Sequence, residues 1–163
     1  NLDNLIICSS YSKNFGLYSE RVGCLIYHSK NMNNYLSVQS NFKKVARTIY
    51  SNPPSHGSDI VKTILSDEKL KSLWEINLNE AKNRIINMRK SLVENLVKEN
   101  CSRNFEFIIN QKGMFSFTGL SSHEVNQLKE KFSIYIVNSG RINVAGVTSK
   151  NVNYIAKAIS SVI

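Results

Sequence analysis

Apolar and polar positions along the chain fall into short runs first and long periodic stretches later. Residues 5–9 (LIICS) and 22–27 (VGCLIY) are brief and almost wholly apolar, which predicts two buried strands. A polar, turn-like stretch at 10–20 separates them. Two such strands flanking a polar loop point to an α/β sheet covered on both faces. From 31 to about 49 the spacing becomes helical, with Tyr35, Val38, Phe42, Val45, Ala46 and Ile49 on one side. The stretch SNPPSHG (51–57) breaks that helix, and Pro54 is preset for the first turn of the next, which runs to about Leu65. Asp67 is placed to cap a long helix over 68–98, whose apolar stripe includes Leu70, Trp74, Leu78, Ile85, Leu92 and Leu96. Some thirty helical residues extend roughly 45 Å at about 1.5 Å each, a length suited to bridging two domains. Downstream, 105–109 and 114–118 around NQKG predict a hairpin. A short helix over 122–131, short strands at 134–137 and 142–145, and a final helix from about 149 to 162 complete the pattern. The boundary is expected within the long helix, with domains at 1–80 and 81–163.

Composition narrows the class. With 163 residues, 42% of them apolar and only 7 Gly and 2 Pro, the chain can build a core and is no disordered tail. Its apolar runs are too short for a transmembrane helix, so no membrane partner is expected. The run at 5–8 has no charged region before it and reads as a strand, not a signal peptide. The chain starts at Asn1, and a strand so close to the start suggests the C-terminal part of a longer polypeptide. Three widely separated cysteines make no disulfide framework, which favours a reducing cytoplasm. Cys8 and Cys24 read as small core residues and Cys101 as a turn residue.

A net charge of +9 raises the possibility of a nucleic-acid partner. Yet the chain holds 21 Asn, 17 Ile and 15 Lys, a bias that spreads lysine over solvated faces. No basic run exceeds two residues, and aromatics do not interleave with basic positions as a stacking platform needs. The expectation is therefore no nucleic acid. His28, His56 and His123 are far apart and lack metal-ligand spacing, so no metal is expected.

The chemistry concentrates in the first loop. Lys13 follows a strand at a turn relaxed by Gly16, a setting in which an amine can act covalently. Ser10, Ser12 and Arg21 offer hydroxyl donors and a two-pronged guanidinium to a phosphate. Together these suggest a phosphorylated aldehyde cofactor; the plain alternative is a surface lysine in a polar loop.

SYSKNFGLY (10–18) followed by ERVG (20–23) resembles the cofactor-lysine motif of class I aspartate aminotransferases, pyridoxal 5'-phosphate (PLP) enzymes of fold type I. YSNPPSHG (50–57) with Arg47 ahead of it, NQKGMFSFTGL (110–120) and SGRINVAG (139–146) are similar to further blocks of that family, in the same order. The resemblance implies an α/β fold: the end of the large-domain sheet, a long bridging helix and an α+β small domain. It implies that Lys13 binds PLP covalently and moves the substrate proton, while Ser10, Ser12 and Arg21 hold the cofactor phosphate. Arg141 would grip the substrate α-carboxylate, and Phe115 would lie beside the substrate. Arg47 would take the distal carboxylate, and Ser51 would approach the phosphate, both from the partner subunit of a homodimer. Two planar cations at a fixed separation suit a dicarboxylate. The implied reaction exchanges an amino group between L-aspartate and 2-oxoglutarate. An aromatic amino-acid aminotransferase of the same family shares Lys13, Arg141 and often Arg47, so the motifs leave it open. A noncatalytic basic binding module is the alternative of another class. A complete subunit of the family is more than twice this length. The aspartate, asparagine, tyrosine, stacked aromatic and phosphate loop that complete its cofactor site lie outside these residues, so this stretch alone is expected to be inactive. Trp74 reads as packing; for Asn14 and Tyr18, site contact and loop scaffolding both remain open.

Overall fold

The structure is a computed structural model that describes residues 3–163. Its contacts divide the chain into two compact units, the first ending at Leu78 and the second running from Asn79 to Ile163.

In the first unit, β1 (Asn4–Ser10) and β2 (Gly23–Ser29) pair antiparallel in unbroken register from Asn4 opposite Ser29 to Ser10 opposite Gly23. A single 3-10 turn, Met32–Asn34, leads into α1 (Tyr35–Tyr50). Helix α2 (His56–Ser66) follows the Pro-Pro break, with Ser55 at its N-cap. Pro54 therefore precedes the cap and does not occupy the first turn; it ends the extended linker where its lack of an N–H costs nothing. Gly57 lies where α2 meets the end of the Lys13 loop. A Cβ there would come within 3.0 Å of Glu20 Cβ and 3.1 Å of Val22, so only glycine fits without displacement.

The two strands form as expected but are not buried. Ile6 and Leu25 are each about half exposed, and Cys8, expected as a small core residue, is exposed in this chain. The physical reason is layer count: β1 and β2 form a two-stranded sheet, and an apolar ribbon is buried only when another layer covers it. Helix α1 behaves alike. Its expected face leaves Val38, Phe42 and Ala46 half-buried, with Phe42 edge-on to Tyr27 at 6.2 Å, but Tyr35, Val45 and Ile49 exposed.

Helix α3 (Glu68–Lys98) has the expected bounds. Asp67 Oδ1 accepts from the amides of Lys69 and Leu70, both at 2.9 Å, which satisfies two donors of the first turn. The division between units falls within this helix.

The second unit holds the main core. Leu92 and Leu96 of α3 pack in a cluster with Phe105, Ile108, Leu120, Val125, Leu128, Ile142, Val144 and Ile159, all nearly sealed from water. Burying one such leucine stabilises the fold by about 1.5–3 kcal/mol. Around this core run β3 (Phe115–Phe117), α4 (Ser122–Phe132), β4 (Arg141–Asn143) and α5 (Val152–Val162).

Three expectations fail here. Residues 105–109 form a 3-10 turn at Glu106–Ile108, not the first arm of a hairpin. Asn104 Oδ1 accepts from Glu106 N at 2.7 Å and starts that turn, and Phe105 and Ile108, three apart, are the buried pair. β3 instead pairs antiparallel with β4, Phe117 opposite Arg141. The Gln111 side chain completes the Phe117 backbone, donating to its carbonyl at 2.9 Å and accepting from its amide at 2.8 Å. Residues 134–137 form no strand, and the strand expected at 142–145 is β4, followed by a 3-10 turn at Val144–Gly146. The last helix starts later than expected, because Thr148 and Asn151 exchange hydrogen bonds, Thr148 N to Asn151 Oδ1 and Asn151 N to Thr148 Oγ1. No helix among the described residues is long and apolar enough to cross a membrane.

Candidate active site

The Lys13 loop leaves the end of β1 and folds back on itself. Tyr11 N donates to Val22 O at 3.1 Å, which holds the loop closed across the mouth of the ribbon. The Ser10 hydroxyl donates to Ser12 Oγ at 3.1 Å, and Ser12 N donates back to Ser10 Oγ at 3.2 Å. Ser12 is buried, and its own hydroxyl hydrogen remains available to an acceptor. Lys13 Nζ lies 4.9 Å above the centre of the Tyr18 ring. Arg21 Nη1 donates to Tyr18 O at 3.1 Å, leaving the rest of its guanidinium fork for other partners. Tyr18 thus links the two cations, through its ring to one and its carbonyl to the other. Two hydroxyls, a guanidinium and an amine on one loop are a donor set suited to an anionic phosphate next to an aldehyde.

Arg21 has φ +51° and Ser51 φ +64°. Neither side chain favours that left-handed region, and such backbone persists where surrounding structure imposes it. Both are residues implied for the phosphate. Ser51 ends α1 and donates its amide to Arg47 O at 3.0 Å, so Arg47 and Ser51 are fixed to each other in the last turn. Both side chains are exposed.

In the second unit the Arg141 guanidinium sits 4.8 Å over the Phe115 ring. Gly140, at φ +73°, lies close against the Leu120 backbone, where a Cβ would meet Leu120 O at 2.8 Å. Its carbonyl accepts from both Thr118 N and Thr118 Oγ1, which pins the residue just before Arg141. Behind β3, Arg89 of α3 is buried; its Nε donates to Ser116 Oγ at 3.2 Å and its Nη2 to Gly113 O. Burial lowers the pKa of that guanidinium from its ordinary value.

The structure therefore brings together Lys13, Ser10, Ser12 and Arg21 on one loop, Arg47 with Ser51 at one helix end, and Arg141 with Phe115 on one hairpin-like pair. Open clefts lie beside Asp59, Lys62 and Asp67, and beside Asp3, Ser29 and Lys30; neither includes an expected site residue. Among the described residues, no three His, Cys, Asp or Glu side chains gather as a metal-ligand group.

Sequence reasoning missed two residues that shape these clusters. Trp74 donates its indole N–H to Asn14 O at 2.8 Å, so it holds the Lys13 loop besides packing. Arg89 stands on the core stripe of α3, four residues after Ile85 and three before Leu92; a charge there was a legible signal.

Residues 1–159 match the family model described as "Aminotransferase class I and II". The chain belongs to that family. It is 45% identical over 163 residues to the aspartate aminotransferase of Haemophilus influenzae, covering all of this chain and 41% of that protein. Among solved structures, the aromatic-amino-acid aminotransferase of Burkholderia pseudomallei, covalently bound to pyridoxal phosphate, superposes with a TM-score of 0.93 at 44% identity, covering 98% of this chain and 40% of that one. The cytoplasmic aspartate aminotransferase of Saccharomyces cerevisiae gives 0.93 at 39%, covering 99% and 40%. The fold is thus the type I fold of PLP-dependent aminotransferases, and the chain spans about 40% of the length of these relatives.

Proposed function

We propose that this chain is part of a PLP-dependent aspartate aminotransferase, which exchanges the amino group between L-aspartate and 2-oxoglutarate and yields oxaloacetate and L-glutamate. The observation that carries the proposal is the closed loop that gathers Lys13, Ser10, Ser12 and Arg21 at the end of β1. The 45% identity to an aspartate aminotransferase across the whole chain supports it.

When bound, PLP supplies the electron sink that makes the substrate Cα–H acidic. Everything else falls to residues of the protein. The Lys13 Nζ anchors the cofactor at rest and, once displaced by substrate, takes the Cα proton and returns it on the other side of the exchange. Ser10 and Ser12 hydroxyls and the Arg21 fork hold the phosphate, with the Ser51 hydroxyl contributed by the partner of a homodimer. Arg141 clamps the α-carboxylate in two-pronged fashion, and Phe115 fixes the guanidinium plane from below. Arg47 of the partner subunit receives the distal carboxylate, so the two active sites are shared. Residues 1–80 belong in this reading to the PLP-binding large domain and 81–163 to the small domain. The exposed apolar faces of β1, β2 and α1 are then covered in the whole subunit or dimer. A cytoplasmic location is proposed in line with the yeast neighbour, although a mitochondrial aspartate aminotransferase of Dictyostelium discoideum is also 42% identical.

A second reading, an aromatic amino-acid aminotransferase, draws on the Burkholderia neighbour. The kcat/KM of the full-length protein on aspartate and on phenylalanine, each with 2-oxoglutarate, decides between them. The proposal expects aspartate to lead by at least tenfold. A lead for phenylalanine would select the second reading, and no amino transfer from either would remove both.

A further inference from the structure

We propose that Trp74 is a positioning residue for Lys13, fixing the backbone from which the lysine side chain must swing. The inference rests on reading Lys13 as the cofactor lysine. A catalytic lysine carries its amine on a flexible four-carbon stem. To deliver that amine to two positions in turn, the stem must move while its root stays still. Misplacement by about 1 Å can cost a hundredfold in rate.

The root of Lys13 is held on its C-terminal side by two carbonyl contacts. Lys13 O accepts from Gly16 N at 3.2 Å, within the turn. Asn14 O accepts the indole N–H of Trp74 at 2.8 Å, across 60 residues of sequence. The next residue, Phe15, lies flat against the same indole, with ring centroids 4.6 Å apart and planes 19° from parallel. Tyr11 closes the stack edge-on to Phe15 at 5.3 Å. Two of the turn's own bonds are long, Phe15 N to Tyr11 O at 3.3 Å and Leu17 N to Tyr11 O at 3.4 Å, so they hold the Asn14–Leu17 stretch only weakly. Trp74 holds that stretch from α3, the most extended rigid element available to the loop. Through the Asn14 carbonyl it sets the plane of the Asn14–Phe15 peptide, one peptide beyond Lys13, and through Phe15 it sets the rotation of the turn.

The test uses the full-length protein and two variants. Trp74→Phe keeps the stack and loses the N–H; Trp74→Leu loses both. The first readout is hydrogen exchange of amides 14–17 without cofactor, which reports loop opening independently of catalysis. Loss of one hydrogen bond should speed exchange about fivefold in Trp74→Phe, and loss of the stack as well about thirtyfold in Trp74→Leu, with amides of α4 unchanged. The second readout is steady-state kinetics of the holoenzyme. In Trp74→Phe, kcat should fall about tenfold with KM for the amino acid within about twofold. Exchange and kcat at wild-type values in both variants would overturn the proposal. So would faster exchange spread evenly over the whole protein, which marks Trp74 as packing only. Borohydride labelling of the wild type separates the two layers. Label on Lys13 without a response to the Trp74 variants removes only the positioning role; label on another lysine removes the lysine reading and the positioning role with it.

Discussion

Glu124 offers a quantitative test of the scaffold behind β3. Its carboxylate accepts from Ser121 N at 2.6 Å, from Arg103 Nη2 at 2.7 Å and from Arg103 Nη1 at 3.4 Å, while Ser121 Oγ accepts from Glu124 N at 3.3 Å. The same Arg103 donates to Gly119 O at 3.1 Å, tying the start of α4 to the turn that follows β3. Glu124 is 9% exposed, so Glu124→Ala leaves the Ser121 amide without its acceptor and half of the Arg103 fork unpaired. A lost reciprocal cap and a lost charged pair sum to about 2–4 kcal/mol. Hydrogen exchange of α4 amides in the full-length protein reads this locally, and about a hundredfold acceleration is expected at pH 7. Glu124→Gln, which keeps one acceptor, should show a smaller effect. The pH dependence has a definite sign. Burial alone would raise the Glu124 pKa, but the Ser121 amide, then Arg103, outweigh it and hold the carboxyl below its ordinary value. The stabilisation is therefore complete above the ordinary glutamate pKa and is lost as pH falls through the lowered folded value. Exchange in Glu124→Ala within twofold of wild type at pH 7, or a wild-type advantage that grows on acidification, would refute the reasoning.

Two further predictions concern the proposed clamps. Arg47→Ala should lower kcat/KM for aspartate by about 2–5 kcal/mol of transition-state stabilisation and spare phenylalanine, whereas Arg141→Ala should weaken both; equal losses for the two substrates in Arg47→Ala would show that it is not the distal clamp. Mixing full-length Lys13→Ala with Arg47→Ala under subunit exchange should restore up to one working site per hybrid dimer, because one site then receives both intact residues; no recovery, with exchange confirmed by mass spectrometry, would place Arg47 in its own subunit's site.

The sequence made the long helix legible down to its first and last residues, because Asp67 caps it and apolar residues recur along it at helical spacing, although this chain buries only those from Leu92 to Leu96 fully and leaves Leu70, Leu73 and Ile76 exposed. The chemistry of the Lys13 loop was legible too, since hydroxyls, lysine and arginine stood within a dozen positions. What failed was partnership. Residues 134–137 alternate as a strand should, with Ile134 and Ile136 against the core and Tyr135 and Val137 outward, yet their backbone meets no ladder. Ser133, at φ +53°, ends α4 with Ile134 N donating to Leu128 O, and the segment is spent as a connection. β1 and β2 carry apolar residues on both faces, but periodicity does not say which layer covers them. The start of α4 at Ser122 was legible, and the capping box of Ser121 and Glu124 is its physical reason. Trp74 was beyond reach for another reason: its partner, Asn14 O, is a backbone atom, and no residue type advertises a carbonyl.

The central claim is that Lys13 carries the cofactor, and borohydride reduction of the full-length protein with PLP followed by peptide mapping tests it most directly. The label should fix on the peptide containing Lys13 and vanish in Lys13→Ala, which should still bind PLP without a covalent link while losing turnover by several orders of magnitude. Label on Lys43, Lys112 or any other lysine, with Lys13 unmodified, would contradict the account.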